Sequence, residues 1–163
     1  MLSSKLQEHG VKTLHAESDA DLLIGQTAVD WAANSATTVI GEDTDLLVLL
    51  CLHADVKSQP LFFKSEKQQT AKKNHKVWHI NRLKSVMGPE LCLLLPFVHA
   101  VSGSQTTWRL YGVGKGAALR KLRNDSVFKE AAFVFIRQSS LEEIVLQVKK
   151  LCAVCMEVDL TKV

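Results

Sequence analysis

Apolar positions along this chain follow two rhythms, short unbroken runs and longer stretches with a helical repeat. Residues 3–9 read as the last turns of a helix closed by Gly10, since glycine is the common stop just past a final turn. Residues 11–15 then read as a short strand. Ser18 or Asp19 caps a helix running to about Asn34, with Ala20, Leu23, Ile24, Thr27, Ala28 and Trp31 on one face. The β-branched run at 37–41 is the next strand. Strand, helix, strand predicts a parallel pair with a right-handed crossover.

Residues 45–52 fit a strand or a short buried helix equally, because periodicity does not separate the two in so short a run. Residues 60–64 and 76–80 read as strands, and the polar basic stretch between them, 65–75, as a mobile loop. A helix at 81–87 stops at Gly88-Pro89, and a strongly apolar helix follows at 90–101 with Pro96 as its irregularity. A polar turn and a Gly-x-Gly-x-Gly loop lead into a basic helix at 117–123. Two closing helices, 128–136 and 141–156, complete the chain. The pattern predicts an α/β fold: an open parallel sheet flanked by helices.

Composition narrows the class. With 163 residues, 47% of them apolar, the chain can build a core of ordinary size and resembles neither a disordered nor a fibrous protein. Net charge is only +3, but acids crowd the first third and Lys and Arg gather from Lys64 onward. That asymmetry suits a polyanion held against an acidic pocket, and equally a solvated basic face. The first ten residues lack the apolar segment of a secretory signal, and the longest apolar run, 46–52, is far too short to span a membrane. The expectation is an intracellular protein without a membrane partner. Cys51 and Cys92 lie in apolar runs and read as reduced core residues.

Candidate chemistry centres on acids. Glu42, Asp43 and Asp45 follow the 37–41 strand, and Glu17, Asp19 and Asp21 follow the 11–15 segment. Parallel neighbouring strands would deliver both clusters to one sheet edge, where ligands of open α/β sheets bind. Acids so gathered repel one another, and a divalent cation is the usual remedy. A plainer account stands beside this. Asp is favoured at helix N-caps, and acids in a first helical turn are stabilised by the helix dipole without any metal.

Glycines 112, 114 and 116 leave the first N–H groups of the basic helix free to meet phosphate, with Arg120, Lys121 and Arg123 following; a solvated helix face explains the same pattern. Trp108 and Tyr111 read as packing residues rather than base-stacking platforms. Cys152 and Cys155 form Cys-x-x-Cys, but no second cysteine pair completes a zinc site. His15 reads as a structural residue.

These blocks together resemble a PIN-like domain of the flap-endonuclease, or structure-specific 5′-nuclease, superfamily, nearest to animal mobile-element-linked PIN-like proteins. Glu17-Ser18-Asp19-Ala20 is similar to the family's Glu-x-Glu-Ala, with Asp21 in the longer version of that block. Glu42-Asp43-Thr44-Asp45 is similar to Glu-Asp-x-Asp. Gly103, then Gly112, Gly114 and Lys115, resemble the third block, a glycine hairpin within a helix-two-turn-helix that grips duplex backbone. Gln105 departs from the pattern: it stands where the family carries an aspartate, and removes one charge from the site. The family's first strand and basic helical arch have no counterpart before Glu17, so the expectation is an N-terminally truncated relative.

The resemblance implies a partial nuclease core at 1–101, a phosphate-binding hairpin and basic helix at 102–123, and closing helices at 124–163. It implies Mg²⁺ or Mn²⁺ in a two-metal site, with K⁺ at the hairpin. Such a site holds two ions about 4 Å apart, one activating water and one steadying the leaving oxygen. Asp43, Asp45, Glu17 and Asp19 would be the catalytic ligands, with Asp21 and Glu42 behind them. Gly112, Gly114, Lys115, Arg120 and Lys121 would contact nucleic acid, DNA ahead of RNA, in the nucleus ahead of the cytoplasm. Two functions follow: a metal-dependent nuclease-like domain acting on phosphodiester backbone, or a catalytically dead relative that binds nucleic acid or protein.

Overall fold

The structure, a computed structural model, describes residues 2–65, 76–103, 114–137 and 139–157. Among these residues the elements run α1 (Leu2–Glu8), α2 (Ala20–Ala32), β1 (Thr37–Ile40), α3 (Thr44–His53), β2 (Leu61–Ser65), β3 (Lys76–His79), α4 (Ile80–Met87), α5 (Pro89–Val101), α6 (Lys115–Asn124), α7 (Ser126–Ile136) and α8 (Leu141–Glu157). The α/β class holds. The loop expected at 65–75 lies outside the described residues from 66 onward, and so do Trp108 and Tyr111.

The sheet is mixed rather than parallel. Its order is β1-β2-β3, with β1 and β2 parallel and β2 and β3 antiparallel. Among the described residues one crossover, through α3, joins parallel neighbours. The strand expected at 11–15 does not form, and nothing pairs there with β1. Its first N–H and two of its side chains are tied elsewhere. Gly10, at φ 76°, closes α1 as expected, with the Val11 N–H on Leu6 O at 3.0 Å and the Gly10 N–H on Gln7 O at 2.9 Å. Gln7 Nε2 then reaches Thr13 Oγ1, and Lys12 lies over the Trp31 ring. These local contacts hold the segment against α1 and α2, away from any ladder.

The ambiguous run after β1 is a helix. Asp43 supplies the N-cap that α3 needs, and at the far end Lys84 Nζ donates to Leu52 O at 2.8 Å and Ala54 O at 2.6 Å, a cation at the helix's negative pole. α6 begins at Lys115, two residues earlier than its apolar positions alone indicate. α7 begins at Ser126, because Asp125 caps it.

Apolar residues gather into two cores. One fills the space between the sheet, α2, α3 and α4 and is centred on Leu50, Leu61 and Ile80; the other joins α5, α6 and α7 around Leu94, Leu122 and Phe128. α5 belongs to both, giving Leu95 to the first and Leu91, Leu94, Phe97 and Val98 to the second. Gly88 sets its direction: at φ 84° it lets the chain bend by 100° between α4 and α5, and Pro89 begins the new helix. Buried Asn81 ties the loop after α3 to the sheet. Its Oδ1 accepts from the Leu61 N–H at 2.8 Å, while Nδ2 donates to Asp55 O and Ser58 Oγ, both at 3.0 Å.

Cys51 and Cys92 are both buried and free, as their apolar surroundings predict. Burial, then the neighbouring Cys92, pushes the Cys51 thiol up to about 12 against the opposing pull of Lys84. Cys152 and Cys155 fall within α8, but their side chains lie outside the described residues. Among the described residues, no single helix is long and apolar enough to cross a membrane.

Candidate functional site

The chain twice spells Asp-x-Asp-Leu-Leu, at Asp19-Ala20-Asp21-Leu22-Leu23 and at Asp43-Thr44-Asp45-Leu46-Leu47. Each copy opens a helix. Asp19 Oδ1 accepts from the Asp21 N–H at 2.9 Å and the Leu22 N–H at 3.4 Å, and so caps α2. Asp43 Oδ1 accepts from the Asp45 N–H at 3.1 Å and caps α3. In each copy the second aspartate sits in the first helical turn, where the dipole favours an anion. The capping account of these residues is therefore correct as far as one oxygen of each cap goes.

The two copies also meet, because α2 packs along α3. Their carboxylates sense one another: the Asp21 carboxyl is raised above its ordinary value, first by burial and then by repulsion from Asp43, Asp19 and Asp45. The expected convergence of the two acidic blocks is real, but its cause is different. Two helix N-termini lying side by side bring the acids together, with no strand ahead of the first block. Glu17 and Glu42 flank the cluster as exposed residues.

Two residues from beyond the first acidic stretches reach this place. Lys115, the first residue of α6, extends Nζ to Thr44 Oγ1 at 3.4 Å, so a cation and the start of a basic helix stand beside α3's N-terminus. Gly114, which precedes α6, provides no side-chain cap, leaving that helix's first N–H groups to other acceptors. From α5, His99 Nε2 stands against Asp45 Oδ1. His99 was not among the residues singled out from sequence. Its signal was there: it is the lone imidazole in the apolar stretch 91–101, and a polar ring in such a setting needs a polar partner.

Of the basic helix, Arg120 is exposed and Lys121 half-buried, while Ala118 and Leu122 face the core. Gln105 and Gly112, and with them the hairpin proposed for K⁺, lie outside the described residues.

The donors suit a hard divalent cation. They are carboxylates, each cap retains a second oxygen, and the repulsion felt by Asp21 is what a cation would relieve. Their spacing is looser than a closed site. Among the described residues no three His, Cys, Asp or Glu side chains come together around one ion position. Mg²⁺ tolerates this better than most metals, because it keeps several of its waters and takes few direct protein ligands.

Compared with protein-family models, with curated proteins and with solved structures, the chain matches none.

Proposed function

We propose that this chain is a PIN-like, metal-dependent nuclease-like domain whose Mg²⁺ or Mn²⁺ is held by Asp43 and Asp45 with Asp19 and Asp21, and whose substrate is a nucleic-acid phosphodiester, DNA ahead of RNA. The observation that carries the reading is the meeting of opposites at one place. Four carboxylates lie at the N-termini of α2 and α3, where burial and then the other three raise the Asp21 carboxyl, and Lys115, at the start of α6, touches the same end of α3.

Each half has a use in phosphodiester chemistry. The carboxylates attract the metal, which when bound polarises a phosphoryl oxygen and supplies a water nucleophile at neutral pH. Lys115 and the free N–H groups of α6 hold the phosphate's negative charge, and the exposed Arg120 extends that positive surface along the backbone. Glu17 and Glu42, exposed beside the carboxylates, would add negative charge to the site and could accept hydrogen bonds from a metal's waters.

A second reading, a non-catalytic relative that keeps the fold and binds nucleic acid or protein, is favoured by the pairing of His99 with Asp45. That contact occupies one carboxylate oxygen where a metal would otherwise bind.

One experiment separates the two. Asn caps a helix as well as Asp, so Asp43→Asn with Asp45→Asn removes two charges while keeping the α3 cap. In a thermal melt without metal, the double variant is expected to match or exceed the parent. With Mn²⁺ at about a hundred times its dissociation constant, the parent should gain roughly 2.7 kcal/mol and the variant nothing. A parent that does not respond to Mn²⁺ leaves the non-catalytic reading in place. A parent that responds is then assayed for cleavage of flap and single-stranded DNA.

A further inference from the structure

His99 comes to the acidic site from α5, the helix that both cores share and that packs along α3. Its side chain is only 13% exposed, and its Nε2 atom is closed off from solvent. Among the described residues, the group this nitrogen meets is Asp45 Oδ1. A buried ring nitrogen needs a polar partner, so the imidazole is committed to that carboxylate.

Asp45 has little else to hold it. Its side chain is 41% exposed, and in the α3 cap it takes part through its backbone N–H, which donates to Asp43 Oδ1. The rotatable bonds of an exposed aspartate would let its carboxylate turn into solvent. With Oδ1 against His99 the carboxylate is oriented, and Oδ2 meets no donor among the described residues.

We propose that His99 is a positioning residue for the metal, donating its Nε2–H to Asp45 Oδ1 and so holding Oδ2 for the ion. The proposal rests on the reading of the aspartates as metal ligands. Ligating carboxylates are themselves hydrogen-bonded, and loss of such a supporting bond weakens metal binding by about 10- to 100-fold. A carboxylate already oriented also gives up less freedom when the ion arrives. Donation needs only a neutral imidazole with its hydrogen on Nε2, so the role brings in no positive charge to oppose a cation. The oxygen that His99 occupies thus supports the ligand and leaves the second oxygen open. The helical core fixes where the donor stands, because Leu94, Phe97 and Val98 of α5 are buried in it.

The test titrates the whole chain with Mn²⁺ by calorimetry, beside three variants that are also melted without metal. His99→Gln puts an amide nitrogen near the place of Nε2 and should retain most of the parent's affinity. His99→Asn is one bond too short to reach Asp45, and His99→Leu has no donor, so both should bind Mn²⁺ about 10- to 100-fold more weakly. Should the leucine variant fail to fold, the glutamine and asparagine variants, which differ by one methylene, decide the matter.

A role confined to packing would shift the metal-free melts and leave those two variants alike in Mn²⁺ affinity, which overturns the proposal. Equal or tighter binding by His99→Asn or His99→Leu overturns it as well, and makes His99 a plug in the site. In both cases the parent still binds Mn²⁺ and the metal reading survives. A parent that binds no Mn²⁺ brings down that reading, and this proposal with it.

Discussion

A single carboxylate can stabilise a helix and destabilise the fold around it, and Asp21 does both. It sits in the first turn of α2, where the dipole favours it, yet burial and three neighbouring aspartates raise its carboxyl. The folded state therefore holds this proton more tightly than the unfolded chain, whose value is the ordinary 3.8. Ionisation opposes folding at neutral pH, and the penalty is relieved as pH falls through the raised value toward 3.8. Asp21→Asn should accordingly melt higher than the parent at pH 7, by a margin that shrinks toward zero at about pH 3.8. Asn81 is the opposite case, a polar group whose burial is fully answered. Asn81→Ala strips the partner from the buried Leu61 N–H and should lower stability by about 2 kcal/mol, read from the midpoint of urea unfolding.

At the scale of elements, what the sequence made legible was whatever depended on neighbours along the chain. The end of α1 at Gly10, the span of α2, strands β1 to β3 and the break at Gly88-Pro89 all follow from local chemistry, and all are found. Residues 11–15 read as a strand, but they join no ladder: the Val11 N–H goes to Leu6 O, and the Thr13 hydroxyl accepts from Gln7. The run after β1 became readable as a helix only through Asp43, the cap.

The candidate site was half legible. Its acids were named, but they gather through the packing of α2 on α3; His99 shows in the sequence only as a lone imidazole in an apolar stretch, and the reach of Lys115 to Thr44 leaves no trace in local pattern. Gly88 offers a test at this scale. A methyl group there would meet nothing within 4 Å, so crowding is not at issue, but φ 84° and ψ 156° suit glycine almost alone. Gly88→Ala should cost about 1–3 kcal/mol in a denaturant melt, and a neutral result would mean the α4–α5 bend relaxes freely.

Across the described residues, two cores are strung on one helix. Because α5 supplies Leu95 to the sheet core and Leu94 to the helical core, damage to either should reach the other. Leu94→Ala, at a fully buried position, should cost about 2–5 kcal/mol. Hydrogen exchange at Val39 and at Phe128 should then accelerate together, whereas exchange that quickens at Phe128 alone would mean the cores open independently.

The contact between Lys115 and Thr44 also sets a schedule for the chain as it is made. The two residues are 71 apart in sequence, so the link waits for a large loop to close, while the sheet core assembles from shorter separations. On the ribosome, both aspartate-capped helices emerge and can pack before α6 exists. The acidic face is thus presented to the cell first, without its lysine, and the charge balance at the start of α3 is set only when the last third of the chain arrives.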